Sequence, residues 1–228
     1  MAKTYKEFMD NMQVQYAGFE RNAEVVRREG LKAGIKPEGL GGYFVILRHP
    51  DSVTEPVAEF ASKVKRAVPS AVAYDKTKLH TTISDYDLKP LAEFSPEKGV
   101  LDVFSSAVRK IKIWINSPPI NFGNLVYNQT TAIAPGIPAG RGFFDVSQSF
   151  VEEVGRRGIE LRSPWGAHMT SVRFAEAVSA DRLEDFFSLM RDAPAVGRSV
   201  PEYIDVGSYR LSKETFEFDL YERFKISV

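Results

Sequence analysis

Two short stretches of this chain, 88 positions apart, carry the same polar pair: His80-Thr81-Thr82-Ile83-Ser84 and His168-Met169-Thr170-Ser171. Threonine fills 9 of 228 positions, so chance puts a threonine two residues after two of the three histidines only about 0.5% of the time. Both stretches lie in β-favouring runs, Leu79 to Asp85 and Ala167 to Phe174, where alternate side chains share a face. His80 then sides with Thr82 and Ser84, and His168 with Thr170. Leu79, Ile83, Ala167 and Met169 turn the other way, under covering helices.

The surroundings repeat too. Tyr43 to Leu47 reads as a strand and Glu55 to Ala67 as a helix. The first histidine strand follows, then a helix from about Val100 to Ile115. The second half offers a strand at Thr130 to Ala134, a helix from Phe143 to Gly155, the second histidine strand, and a helix from Asp181 to Met190. Phe44 precedes His80 by 36 positions and Thr131 precedes His168 by 37. After each second helix comes a similar β segment, Ile120-Asn121-Phe122-Gly123 and Ile204-Asp205-Val206-Gly207, each continuing as a hairpin. The economical reading is a duplicated α+β unit with lobes at roughly 43–116 and 117–228. Two antiparallel sheets then surround a central groove with helices outside, and His80 and His168 face each other across it.

Ahead of the repeat, Tyr5, Phe8, Met9, Met12, Tyr16 and Phe19 form one apolar stripe at helical spacing, predicting a helix from Tyr5 to about Ala33 that packs on the main body. Gly39-Leu40-Gly41-Gly42 lacks the Lys-Ser/Thr of a phosphate-cradling loop. It reads as a flexible joint, making residues 1–42 an extension and 43–228 the two-lobed domain.

Thirty Lys and Arg balance thirty Asp and Glu, which argues against a DNA duplex held by broad electrostatics and leaves a small anionic substrate open. The absence of cysteine removes disulfides, thiol catalysis and thiolate metal sites. No apolar run approaches a membrane span, and the first residues form no signal core, so a cytoplasmic protein without a membrane partner is expected.

The two H-x-T tetrads, their separation and the element order around them resemble the two-histidine (2H) phosphoesterase superfamily over roughly Tyr43 to Val228. That family's motif is His-hydrophobic-Thr/Ser-hydrophobic. Here Thr81 stands at the second position of the first copy and Ser171 at the fourth of the second, which leaves each His and Thr in place. The resemblance implies phosphodiester cleavage without metal or cofactor. One histidine takes a proton from water, the other protonates the departing oxygen, and Thr82 and Thr170 donate to the non-bridging oxygens. Which histidine plays which part is left open by so symmetric a pair. The implied substrate is a small nucleotide or RNA end, such as a 2′,3′-cyclic phosphate or a 2′–5′ linkage. A binding module that has lost turnover and a 2′–5′ RNA ligase running the reverse reaction are the alternatives.

Three further residues are candidates for substrate contact. Ser84 shares the groove face. Trp165, three residues before His168, either stacks on a base or packs in the core. Arg141, closing the irregular loop Pro135 to Gly142, either holds phosphate or merely lies on a connection. Strand parity turns Arg173 away from His168, for a structural role, and turns Asp85 and Asp87 away from His80, leaving no metal cage there. His49, before Pro50 and lacking a threonine partner, reads as a surface turn residue. Trp114 reads as a core residue of a helix, and Tyr43, Tyr127 and Tyr209 as strand aromatics that pack in the core or on the sheet surface, with groove lining the alternative.

Overall fold

The computed structural model describes residues 4–86, 88–111 and 116–226. Trp114, Asp87, the end of the helix expected to reach Ile115 and the side chain of Asp85 therefore lie outside the described residues.

Helix α1 (Tyr5–Glu29) begins at Thr4, whose side chain and that of Glu7 close a reciprocal capping box. It ends at Glu29, four residues short of the expected Ala33, with Gly30 as its cap. Gly30 sits at φ 82°, and a Cβ there would lie 2.1 Å from the Val178 carbonyl oxygen, so only glycine lets the chain turn off at that point. Phe8, Met12, Phe19 and Val26 form the buried stripe that docks α1 on the body.

Strand β1 (Leu40–Arg48) leads to α2 (Asp51–Ala67), β2 (Ala71–Ala73) and β3 (Thr81–Asp85). Then come α3 (Lys98–Ile111), β4 (Ile120–Asn124), β5 (Val126–Tyr127), β6 (Thr131–Ala134) and β7 (Gly136–Pro138). The chain closes with α4 (Gly142–Gly155), β8 (Met169–Phe174), α5 (Glu184–Arg191), β9 (Ala195–Ser199), β10 (Tyr203–Leu211) and β11 (Phe216–Lys225). The class is α+β, with antiparallel pairing throughout two sheets. Eight strands form the larger, in the order β11-β10-β1-β3-β8-β6-β5 with β2 also against β8; β7-β4-β9 form the smaller. The two histidine strands meet at a single pair, Thr81 opposite Met169. Leu79, Ile83, Ala167 and Met169 are fully buried, as strand parity requires. α2 packs on β2 and β8, α3 on β10 and β11, and α4 on β3. No helix among the described residues is long and apolar enough to cross a membrane.

Two expectations need correction. Leu40 to Gly42 are not a joint. They open β1, with Gly41 opposite Arg210 and Gly42 opposite Tyr209. A Cβ on Gly41 would fall 2.2 Å from the Phe94 ring, so the glycine serves close packing and not flexibility. The two similar β segments also part company. Ile120 to Asn124 enter the small sheet, whereas Ile204 to Gly207 lie in β10 beside β1. Strands consequently cross between the sequence halves: β10–β11 complete the sheet of β1 and β3, and β2 lies beside β8.

Candidate active site

His80 stands one residue before β3, and its Nδ1–H donates to the Lys78 carbonyl at 2.6 Å. A carbonyl can only accept, so the proton of the neutral ring is on Nδ1 and the lone pair is on Nε2. Arg48 steadies the approach to this residue. Its guanidinium donates to the Thr77 and Leu79 carbonyls and to the buried Asp205 carboxylate at 2.7 Å, while Arg223 holds the other Asp205 oxygen at 2.8 Å. The His80 ring meets Phe218 at a tilt of 59°, with centroids 5.3 Å apart.

His168 stands one residue before β8 and lies flat on Trp165, with ring centroids 4.1 Å apart and planes 15° apart. The Gly166 carbonyl lies beside it, but the buried Nδ1 closes no hydrogen bond among the described residues. Burial pushes His80 down to about 4, with Arg48 and Arg173 pressing the same way against the pull of the Lys78 carbonyl and Asp205. It pushes His168 down to about 3, assisted by Arg173 and by His80 itself. Both rings line one groove of about 1220 Å³, together with Thr82, Thr170, Ser84, Trp165 and Arg173.

Hydroxyls around the groove divide sharply. Thr81 is taken by His49 at 2.8 Å, Ser84 donates to the Arg162 carbonyl at 3.0 Å, and Ser171 donates to the Ala132 carbonyl at 3.0 Å. Thr82 and Thr170, by contrast, line the groove with hydroxyls that no other described residue engages. Ser84 thus borders the groove, but its proton is committed to holding the 162 loop.

Strand parity fails at Arg173, which lines the same groove as His168 and donates from Nε to the Tyr74 hydroxyl at 3.0 Å. The cause is a β-bulge. Thr170 pairs with Ile133 and Val172 with Ala132, so Ser171 is an extra residue that brings Arg173 back to the face of Thr170. β3 carries the matching bulge, for Thr82 pairs with Ile46 and Ser84 with Val45, leaving Ile83 unopposed. Each bulge falls three residues after its histidine.

Arg141 is elsewhere. It precedes α4, is exposed, pairs with Asp145 at 3.3 Å and lies over the Tyr5 ring, outside the groove. The segment Pro135 to Gly142, read as an irregular loop, includes a short strand, for Gly136 to Pro138 form β7. Trp165 is in the groove lining, with His168 flat against it and Phe19 nearly parallel to it at 6.3 Å. His49 is buried and not on the surface. Its ring bridges Ser199 and Thr81, at 2.8 Å each, and meets Phe122 edge-on. Burial lowers its pKa to about 3. Tyr127 packs in the core against Phe186, while Tyr43 and Tyr209 line the groove. The larger omission is the aromatic wall of Tyr74, Phe216 and Phe218 beside His80. The alternating Phe216 and Phe218 were a strand-period signal for it. No three His, Asp or Glu side chains among the described residues are gathered as metal ligands.

No protein-family model and no curated protein matches the chain. Solved structures do. E. coli LigT complexed with 3′-AMP superposes with a TM-score of 0.52 at 14% identity, covering 83% of this chain and 99% of LigT. The TT0787 protein of Thermus thermophilus gives 0.55 at 14%, covering 81% and 97%. The conserved protein ATU0111 of Agrobacterium tumefaciens gives 0.54 at 9%, covering 83% and 90%. The fold is that of the two-histidine phosphoesterases. In this two-histidine fold the groove is the space where both H-x-T pairs open, and the 83% coverage leaves room for elements outside the shared unit.

Proposed function

We propose that the chain is a phosphodiesterase that hydrolyses a small nucleotide or RNA-end phosphodiester, a 2′,3′-cyclic phosphate or a 2′–5′ linkage, through paired-histidine acid–base chemistry. The observation that carries this reading is the presence of both H-x-T pairs in one groove, with His80 near enough to His168 to disfavour its protonation. His80, with its lone pair on Nε2, takes a proton from water as the water oxygen bonds to phosphorus. His168, in its protonated form, gives its proton to the oxygen whose bond to phosphorus breaks. The cycle leaves His80 protonated and His168 neutral, and exchange with solvent restores both. Thr82 and Thr170 donate to the non-bridging oxygens, and Arg173 adds positive charge at the same wall. A nucleobase has an aromatic seat on the His80 side, against Phe218 and Tyr209. LigT has been crystallised with 3′-AMP, ATP and NADP+, which supports a nucleotide ligand in a groove of this fold.

The test is turnover of 2′,3′-cyclic nucleotides and 2′–5′ dinucleotides in EDTA. The reading expects cleavage that chelator leaves unchanged. Activity lost in EDTA and restored by a divalent metal would overturn the two-histidine mechanism, and joining of RNA ends without hydrolysis would make the chain a ligase.

A further inference from the structure

Helix α1 precedes the duplicated unit, yet it packs against Trp165, a residue of the groove lining. Phe19 stacks nearly parallel to Trp165, with centroids 6.3 Å apart and planes 23° apart. Tyr16 meets the indole edge-on at 5.5 Å. The same helix fills the space beside the next residue. A Cβ on Gly166 would lie 3.0 Å from Met12 Cγ and 3.3 Å from the Tyr16 hydroxyl. That hydroxyl donates to the Gly136 carbonyl and accepts from the Gly136 N–H, each at 3.0 Å. Gly136 in turn lies against Ala167, whose carbonyl oxygen would be 2.0 Å from a Cβ there. Three residues of α1 therefore bracket the segment 165–167 that delivers His168.

The two histidines are held by different means. His80 has a backbone carbonyl on Nδ1. His168 has the Gly166 carbonyl beside it but closes no hydrogen bond on Nδ1, so the contact that fixes its plane is the flat stack on Trp165, which in turn stacks with Phe19. We propose that α1 is a positioning brace for His168, acting through the Phe19–Trp165–His168 stack. The proposal rests on the phosphodiesterase reading for the statement that His168 reacts. Removing Phe19 frees the indole to tilt, and His168 tilts with it. A shift of about 1 Å at a reacting group costs about 10²-fold in rate.

The experiment compares Phe19→Ala, Phe19→Leu and Phe19→Tyr with Phe8→Leu. Phe8 lies on the same buried stripe of α1 but packs on Phe143 and Phe144, away from the groove. Two quantities are read: kcat and KM on 2′,3′-cyclic AMP, and the ring-proton NMR resonances of the three histidines, of which His168 is shielded by the indole beneath it. Phe19→Ala is expected to lower kcat by about 10–100-fold with KM changed less than about twofold. His168 should move downfield while His49 and His80 stay in place. Phe19→Leu, the milder truncation, should shift both quantities in the same sense, Phe19→Tyr should restore both, and Phe8→Leu should change neither. An unmoved His168 resonance in both Phe19→Ala and Phe19→Leu overturns the brace, as does a kcat loss in Phe8→Leu equal to that in Phe19→Ala. If the wild-type chain cleaves no cyclic or 2′–5′ substrate, the phosphodiesterase reading fails, and the NMR arm alone still decides whether α1 sets the His168 ring.

Discussion

Shifting pH probes the reaction most directly, because the free groove holds both imidazoles uncharged. With His80 lowered to about 4 and His168 to about 3, only about one molecule in a thousand carries a proton on the pair at pH 7. Hydrolysis needs one protonated and one neutral ring, so kcat/KM should fall about tenfold for each pH unit between 5 and 8. Bound substrate alters the balance. A phosphate anion about 4 Å from an imidazolium is worth about 4 kcal/mol at an effective dielectric constant near 20, or about three pH units. One ring of the complex then titrates near neutrality, and kcat should stay level from about pH 5 to 6.5 while kcat/KM declines. Binding must also draw a proton from solvent. Calorimetry with a non-cleavable phosphodiester in two buffers of different ionisation enthalpy should detect uptake approaching one proton at pH 6. A kcat/KM profile centred on pH 6.5, with no proton uptake, would mean that the rings are solvated and the reasoning is wrong.

Truncation of either histidine, His80→Ala or His168→Ala, should lower kcat by about 10²–10⁴-fold with the fold intact by circular dichroism, and the double variant should be little worse than either single one. Thr82→Val and Thr170→Val keep shape and delete a donor, so kcat should fall by about 10²–10³-fold; a variant that loses only stability would assign its hydroxyl to the core. His49 predicts acid sensitivity. Its folded pKa of about 3 lies below the unfolded value of 6.5, so below pH 6.5 the unfolded chain binds the extra proton and stability drops as pH falls towards 3. Against His49→Gln in urea denaturation, the wild type should lose about 2–3 kcal/mol more between pH 7 and 4.5; equal losses would show that the ring is not held neutral.

Where an element depends on local pattern, the sequence was readable. The two tetrads, the spacings of 36 and 37 positions and the apolar stripe of α1 all correspond to elements at or near their expected bounds. The failures share a cause, which is that the deciding partner is remote. Nothing near Arg173 announces the extra residue at Ser171, since a bulge is defined by what lies opposite, here Ala132 and Ile133. His49 is drawn inward by Ser199, 150 residues later. Gly41 looked like a hinge because its reason, the Phe94 ring, is likewise tertiary. Trp165 lines the groove, and its stacking partner Phe19 is again remote in sequence.

The exchange of strands between the halves dictates an order of events when the chain is made. Leu40 must wait for Leu211, and Gly41 for Arg210, before β1 has its partner on that edge. The strand that borders His80 thus stays half-paired until residues 203–211 have left the ribosome. Pairings so distant in sequence are slow to close and leave open edges in the meantime. Truncation of the last hairpin would therefore strike the first histidine, at the far end of the sequence, before it touched the second. A nascent chain stalled after β9 should have no Phe216 and Phe218 wall beside His80, and should depend on chaperones that shield the unpaired edge of β1.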